Sequence, residues 1–478
     1  MRIFNSLSAG LAGLLVAALL VSGCDSLVDK TPISNPTKEA FYNTPADFET
    51  ALNGAYGALQ QQGTFSQNFW VLFEMRSDNT DQGPDQTGLA RSLFLVNQFQ
   101  ETTTSGIVQQ TWLDAYSGIE RCNVILDRVD NLSDAAFRDQ VQGEALFLRS
   151  LLYYHLAVGF GNVSLKTSPT AGPDEAATAT SQVSATRVYE QIAQDLETAQ
   201  GLLPARSALS GAETGTATAG AANALLGKVY LTLEQPSDAE TALRRIVQSN
   251  EYRLLEDYAS LWGPDNENND ESIFEVQYTA GGGGEGSPFT NTFSPAAFLQ
   301  TGEGLAENRP TPSLVDTFAD GGDRFAASAD TTYENEEGET VRARYITKFE
   351  SDPFSNFDAE NNWVVLRYAD VLLMLAEAIG PSSEAWDLID EVRNRAGLSD
   401  VQRTDFFETL LAERRVELAF ENHRWPDLKR FEQYIPGVAQ ARVGSEVPNL
   451  SGFNLLYPIP QREVDVAGLE QNAGYSGS

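Results

Sequence analysis

Apolar residues recur at intervals of three and four along much of the chain, which places them on one face of an α-helix. Between residues 112 and 126 they fall at Trp112, Tyr116, Ile119 and Leu126. The same pattern recurs in further segments, at residues 140–158, 185–200, 219–233, 237–248, 365–379, 383–396 and 404–421. These segments bury their apolar faces by packing on one another, so we predict a mainly α-helical fold.

Two of these segments carry part of a tetratricopeptide repeat. Leu226, Gly227 and Tyr230 reproduce its L-G-x-x-Y portion, and Ala239 follows nine residues after the tyrosine, as that repeat requires. Small residues at these positions allow two antiparallel helices to pack closely. A stable stack needs at least three repeats, so the other helices must supply them in degenerate form.

The amino terminus has the features of a leader for export. Arg2 precedes an apolar stretch from Leu7 to Val21, which is shorter than the about 20 residues needed to span a bilayer. Gly23 and Cys24 then resemble the site at which bacterial lipoproteins are cleaved and acylated. We predict a signal peptide at 1–23, lipidation of Cys24, a tether at 24–45 and one domain at 46–478. The alternative is an ordinary secretory signal cleaved elsewhere.

Two stretches lack helical periodicity and are predicted to be long variable loops. They are residues 61–107 and 280–362, which mix Gly, Asn, Gln and acidic residues with aromatic ones. A strand is predicted at Ile273 to Thr279, where apolar and polar residues alternate. Rigid scaffolds commonly present binding residues on such loops, so we expect ligand specificity there.

The charge balance argues against nucleic-acid binding. With 32 basic and 67 acidic residues, the formal net charge is −35, which repels phosphate backbones. A cationic partner or simply a solvated acidic surface would both account for this charge.

Residues for catalysis or transition-metal binding are few. The chain has two histidines, His155 and His423, and we predict that both are packed or capping residues rather than catalytic bases. Cys122, the second cysteine, is predicted to be a buried thiol. Gly281, Gly283 and Gly286 match G-x-G-x-x-G, but no helix pattern follows, so a loop is predicted rather than a dinucleotide site. We predict no cofactor.

Calcium is the one ion that clustered acidic residues leave open. Neither cluster has the full spacing of a calcium loop, and solvated loops explain both equally simply. The clusters are Asp78, Asp81 and Asp85, and Asp265, Glu267, Asn269 and Asp270.

The carboxy-terminal third carries four ordered motifs. They are LRYADVLLMLAEA at 366–378, VRNRAGL at 392–398, ERRVELAFENHRWPDL at 413–428 and YPIP at 457–460. These motifs resemble those of the SusD/RagB family, with Asn422 standing where a glycine is usual. Arg414, Arg415, Glu417 and Glu421 have the spacing to form ion pairs along one helix, and we expect them to build the core with Leu411, Leu418 and Trp425.

The resemblance implies a function. Such proteins have a four-repeat tetratricopeptide-like scaffold with variable loops and a few short strands, and they are lipid-anchored at the outer membrane, facing the exterior. They lack catalytic activity and capture a nutrient for a SusC-like TonB-dependent transporter. The ligand is expected to be an oligosaccharide, or alternatively a peptide or protein fragment. A surface glycosidase and a scaffold protein are the competing functions.

Aromatic faces that stack on sugar rings would form the binding site, together with polar side chains. Trp70 can equally begin a buried helix and serve packing, because Val71, Leu72 and Phe73 follow it at once. The candidates in the predicted loops are Phe65, Phe69, Trp70, Phe94, Phe289, Phe293, Phe298, Asn308 and Arg309.

Overall fold

The computed structural model describes residues 41–83, 87–172, 182–295, 304–335, 337–447, 450 and 452–475. The signal peptide, Cys24 and most of the tether lie outside this part. The helices of the described part are α1 Pro45–Tyr56, α2 Asn68–Phe73, α3 Gly88–Asn97, α4 Gly106–Arg128, α5 Ala135–Phe160, α6 Ala185–Leu202, α7 Ala219–Thr232, α8 Pro236–Ser249, α9 Phe289–Phe293, α10 Pro312–Phe318, α11 Arg324–Ser328, α12 Tyr368–Ile379, α13 Ser383–Arg395, α14 Phe406–Glu417, α15 Arg424–Phe431, α16 Val438–Val443 and α17 Gln461–Ala467.

Eight of the longer helices form four successive pairs, α1 with α4, α5 with α6, α7 with α8 and α12 with α13. The second helix of each pair also packs on the first helix of the next pair. This is the nearest-neighbour packing of a helical repeat stack. The prediction of a mainly α-helical, tetratricopeptide-like scaffold is confirmed.

The α7–α8 pair shows why the repeat motif needs a glycine. A Cβ atom on Gly227 would lie 2.6 Å from two side-chain carbons of Leu243 on the facing helix. Ala239 is fully buried between the two helices. Small residues therefore set the distance between α7 and α8, as their spacing predicts.

The last carbonyls of α5 accept hydrogen bonds from the residue that follows the helix and from three residues far along the chain. A helix leaves its last four carbonyls without partners of its own, here residues 157–160. The four donors to them are, in order, the backbone N–H of Gly161, Nζ of Lys429, the backbone N–H of Tyr457 and Nδ2 of Asn472. The YPIP motif thus helps to cap the longest helix of the described part.

Strands are short and occur in antiparallel pairs. Strand β4, Ser272–Val276, pairs with β8, Trp363–Arg367, and β8 runs directly into α12. The strand predicted at 273–279 forms but ends at Val276. The helix predicted at 365–379 begins at Tyr368, because 365–367 belong to β8. The pairs are β1 Thr80–Asp81 with β5 Arg309–Pro310, β2 Val163–Ser164 with β3 Gln182–Val183, β4 Ser272–Val276 with β8 Trp363–Arg367, and β6 Ala329–Glu334 with β7 Thr340–Ile346.

The predicted helix at 404–421 is shorter than expected, because α14 ends at Glu417 and a turn follows. In this turn Phe420 and Asn422 have φ of 71° and 66°. Asn tolerates this left-handed region better than most residues, which explains a glycine or asparagine at 422. The buried carboxylate of Glu74 accepts from the backbone N–H of both residues, at 2.9 and 3.1 Å.

The expected ion pairs along this helix are wrong, although the residues do build the core. Arg414 pairs with Asp427 at 2.7 Å and with Asp370 at 2.8 Å, both outside α14. Glu417 contacts Arg367 on β8 at 2.6 Å, and Glu421 contacts the same guanidinium at 2.7 Å. The charges therefore join α14 and the following turn to other elements rather than stabilising one helix.

The two predicted loop regions are less irregular than expected. Residues 61–107 contain α2 and α3, and residues 280–362 contain α9 to α11 and β5 to β7. Short helices of one or two turns show too few repeats of the apolar spacing to be read from sequence. In the part of the chain that the structure describes, none of the helices is long and apolar enough to cross a membrane.

Candidate functional site

The aromatic residues predicted to bind ligand around residue 70 lie in the core. Phe65, Phe69 and Trp70 are each at most 1% exposed. The Phe69 ring stacks on His155 with ring centroids 4.3 Å apart, and Phe65 meets both rings edge-on. The prediction that these three residues present faces to a sugar is wrong, and the packing alternative for Trp70 is correct. Phe94 is partly buried on α3.

Phe289 and Phe293 are also buried, and the prediction that they stack on a sugar is wrong as well. Phe289 packs on Trp363 of β8 at 4.9 Å, and Phe293 meets Trp70 edge-on at 5.3 Å. Both belong to α9, whose five residues are all buried. Phe298 lies outside the described residues.

Asn308 and Arg309 hold the chain in place. Thr80 donates a hydrogen bond of 2.6 Å to the buried Oδ1 of Asn308. The guanidinium of Arg309 donates to Asp81 at 2.7 Å. These contacts tie β5 to β1. Asn308 is fully buried, so the prediction that it contacts ligand is wrong, whereas Arg309 is partly exposed and its contact with ligand stays a prediction.

The loops do expose apolar side chains, but from other positions. Phe354 is 67% exposed, Phe357 is 41% exposed and Leu305 is 45% exposed. Phe354 and Phe357 are three residues apart, and the backbones of Phe357 and Leu305 both bond to Asn291, so the three side chains are a candidate for one apolar contact surface. We call Phe354, Phe357 and Leu305 the aromatic shelf.

The backbone of the shelf is held in an unfavourable conformation. Phe357 has φ of 60°, which is rare for a residue with a bulky side chain. The backbone N–H of Phe357 donates to Oδ1 of Asn291 at 2.8 Å, and Asn291 is fully buried on α9. Backbone strain that the surroundings maintain in this way is typical of functional sites.

Helix α9 also supports the other edge of the shelf. The backbone N–H of Leu305 donates to the carbonyl of Asn291 at 2.8 Å, and that of Ala306 donates to Ser294 at 2.9 Å. The rings of Phe289 and Phe293, on the same helix, pack on Phe349 in the core. Two residues predicted to bind ligand thus belong to the helix whose backbone and Asn291 hold the shelf.

The glycine run forms the wall of the shelf. A bridge between Thr279 and Glu285 closes a hairpin, which we call the glycine hairpin. Asp358 accepts hydrogen bonds from the backbone N–H of Gly281 at 3.2 Å and of Gly282 at 2.7 Å. A Cβ on Gly282 would lie 3.8 Å from the ring of Phe354. The run is therefore a loop, as predicted, and it lies directly beside the exposed ring.

Acidic residues from both of the possible calcium clusters pair with arginines. Asp78 pairs with Arg424 at 2.7 Å, and Asp270 pairs with Arg206 at 3.2 Å. Within the described residues no group of three or more histidine, cysteine or acidic side chains is arranged to hold a metal ion. Asp85 lies outside them.

The two histidines and Cys122 lie in the core. Burial lowers the pKa of His155 to about 3 and that of His423 to about 4, so both imidazoles are neutral. Burial raises the pKa of the Cys122 thiol to about 12. None of the three residues belongs to the shelf, which offers apolar faces and hydrogen-bonding groups but no histidine or cysteine.

Comparison with known proteins agrees with this architecture. The model of the SusD family matches residues 326–475, and a model described as "Starch-binding associating with outer membrane" matches residues 28–231. The chain belongs to the SusD family. This SusD family protein is 26% identical to SusD-like protein P2 of Formosa agariphila, over 87% of this chain and 90% of that one.

Solved structures share the fold over nearly the whole chain. A structure titled "Laminarin binding SusD-like protein" is 29% identical, with a TM-score of 0.80 over 90% of this chain and 99% of that one. A SusD homolog from Bacteroides thetaiotaomicron is 26% identical, with a TM-score of 0.80 over 91% and 98%. The resemblance found in the sequence motifs is thus confirmed for family and fold.

Proposed function

We propose that this SusD family protein is a non-catalytic glycan-binding protein of the cell surface, and that the aromatic shelf holds the glycan. The observation that carries the proposal is the pair of exposed rings, Phe354 and Phe357, on a backbone fixed from the core through Asn291. Apolar ring faces bind the apolar faces of sugar rings, and neighbouring polar groups orient them.

A relative supports a neutral glycan as the ligand. The laminarin-binding relative shares 29% of residues with this chain over nearly its full length. The exposed residues next to the rings include the acidic Asp352 and Glu285. Acidic side chains accept hydrogen bonds from sugar hydroxyls and repel anionic ligands, so a neutral oligosaccharide fits this surface better than an acidic one.

We further propose that acylated Cys24 anchors the protein at the outer membrane and that the bound oligosaccharide passes to a SusC-like TonB-dependent transporter. The family description, which associates its members with the outer membrane, supports this location. The tether predicted at 24–45 would give the domain reach above the membrane.

Binding to the shelf is tested by calorimetric titration of the purified domain with laminarihexaose and with a set of unstructured peptides. We expect the wild type to bind the glycan, and Phe354→Ala to weaken binding at least about tenfold, which corresponds to about 1.4 kcal/mol. Leu89→Ala is the matched control, because Leu89 is 84% exposed on α3 outside the shelf. Equal affinities of wild type and Phe354→Ala, or binding of peptides alone, would overturn the proposal.

The purified protein also tests for catalysis, and a separate experiment in cells tests the anchor. Incubated laminarihexaose should be recovered intact, and product accumulating in proportion to protein after repurification would contradict a binding role. In cells that lack the transporter, Cys24→Ser should move the protein from the membrane fraction to the soluble fraction, because the lipid supplies the attachment.

A further inference from the structure

A cleft lies beside β4 and ends at the glycine hairpin. It consists of two cavities, of about 390 and about 320 Å³, whose walls share Thr214, Gly215, Thr216 and Glu275. Glu285, at the base of the glycine hairpin, lines the second cavity. The two cavities are therefore neighbours that share residues 214–216 as a wall, and the second cavity reaches the base of the glycine hairpin.

The charged groups of the cleft are already engaged by the protein. Arg206 donates to Asp270 at 3.2 Å and to backbone carbonyls. Ser207 donates to Glu251 through both its backbone N–H, at 2.6 Å, and its hydroxyl, at 2.8 Å. Glu275 accepts from Asn268 at 3.0 Å. Glu285, in the second cavity, is the exception, because its side chain is exposed. Among the described residues, Arg206 is the one basic residue of the lining and is already paired, so the cleft suits a neutral ligand better than an anionic one.

Amide side chains line the cleft on several sides, and each can both donate and accept hydrogen bonds, as hydroxyl groups do. The five amide residues are Asn53, Gln60, Asn250, Asn268 and Gln277. Two of them also cover the backbone of the β4 segment. Nε2 of Gln60 donates to the carbonyl of Gln277 at 2.7 Å, and Nε2 of Gln277 donates to that of Glu275 at 3.1 Å. Asn268 and Gln277 also bond to each other in both directions, at 2.9 and 3.1 Å. The hydroxyl groups of a ligand would therefore bond to Asn53, to Oε1 of Gln60 and to Oδ1 of Asn250.

The cleft and the shelf meet at the glycine hairpin. Gly282 lies against Phe354, and Glu285 lines the cleft three residues later. Three residues span at most about 10 Å. Residues 281–284 carry no side chains that could obstruct a chain crossing from the shelf to the cleft.

We propose that the cleft is a second subsite for a neutral, linear, polyhydroxylated chain, and that one glycan occupies the shelf and the cleft together. The inference rests on the proposed function of the shelf. A disaccharide then uses the shelf alone, and a longer chain gains affinity from the amides of the cleft.

The test compares laminaribiose with laminarihexaose on variants that fill the cleft. Asn53 is exposed on α1 and lines the cleft, so Asn53→Trp should block it without disturbing the fold. Thr50→Trp, on an exposed position of the same helix outside the cleft lining, is the matched control. We expect Asn53→Trp to weaken laminarihexaose binding about tenfold, to the affinity of laminaribiose, and to leave laminaribiose binding unchanged. Thr214→Trp, on a separate part of the wall, should act in the same way.

The outcomes separate this inference from the function of the shelf. If Asn53→Trp and Thr214→Trp bind laminarihexaose as the wild type does, the cleft subsite is wrong. The shelf proposal then still stands if Phe354→Ala loses both sugars. If the wild type binds neither sugar, both proposals are wrong for this class of glycan.

Discussion

Asn291 accepts through Oδ1 a hydrogen bond of 2.8 Å from the backbone N–H of Phe357. Asn291 is fully buried and Phe357 is 41% exposed, so a core side chain fixes the position of a surface ring. A left-handed conformation costs a residue with a Cβ atom roughly 1–2 kcal/mol. The core therefore maintains a turn that the local sequence disfavours, and the product of that turn is the aromatic shelf.

The strain at Phe357 can be measured by comparing two substitutions. Both Phe357→Gly and Phe357→Ala remove the ring, and only glycine also removes the strain. We expect Phe357→Gly to be about 1 kcal/mol more stable to chemical denaturation than Phe357→Ala, with both weakening glycan binding equally. Equal stabilities would show that the turn stores no strain.

The contact between Gly286 and Asp358 is expected to be intolerant of any side chain. A Cβ on Gly286 would lie 2.0 Å from Oδ1 of Asp358 and 2.7 Å from its Cα, so the backbone must move. We expect Gly286→Ala to lose about 1–3 kcal/mol of unfolding free energy and to weaken glycan binding. Gly283→Ala is the control, because nothing lies within 4 Å of its added Cβ. A stable Gly286→Ala variant that binds normally would mean that the hairpin can shift without affecting the shelf.

Arg367 is expected to be essential for stability rather than for binding. Its guanidinium contacts Glu271 at 2.9 Å, Glu417 at 2.6 Å and Glu421 at 2.7 Å, and all four side chains are buried. Replacement by methionine leaves the negative charges of these three buried glutamates without part of their positive partner. Arg367→Met should therefore lower the free energy of unfolding by about 3–5 kcal/mol in a denaturant titration.

A surface pair provides the comparison for Arg367. Arg442 contacts Glu408 at 2.6 Å with both side chains exposed, and Arg442→Met should leave the denaturation midpoint unchanged. If the two variants lose similar stability, the buried network does not have the importance that we assign to it.

His155 should make the protein less stable in acid. Burial lowers its pKa from 6.5 to about 3, and the charge of Lys228 acts in the same direction. In this pH window the unfolded chain binds a proton at His155 and the folded protein does not, so stability falls as pH decreases from 6.5 towards 3. At pH 5.5 this contribution is about 1.4 kcal/mol.

Denaturant titrations at pH 7.5 and 5.5 test this contribution of His155. In His155→Phe a ring still packs on Phe69, but the residue can no longer bind a proton. The loss of stability between the two pH values should be smaller in the variant by about 1.4 kcal/mol. An unchanged pH dependence would place the acid sensitivity in other groups.

The sequence by itself predicted the scaffold, because helical periodicity repeats over many turns and each repeat adds to the same signal. It predicted the close pairing at Gly227, since a small residue at that spacing has a simple steric cause. The four carboxy-terminal motifs indicated the family. Residues 280–362, predicted to be a variable binding region, hold the aromatic shelf that we propose as the glycan site.

Tertiary structure decided which aromatic residues are exposed. Phe289 and Phe354 lie in the same polar, glycine-rich region and look alike in sequence, yet one packs on Trp363 and the other faces solvent. Short helices such as α9 give no periodic signal, so the direction of their side chains depends on partners far along the chain. The same holds for Glu417 and Arg367, which are 50 residues apart. Burial and ion pairing depend on contacts between distant segments, and local sequence spacing carries no information about them.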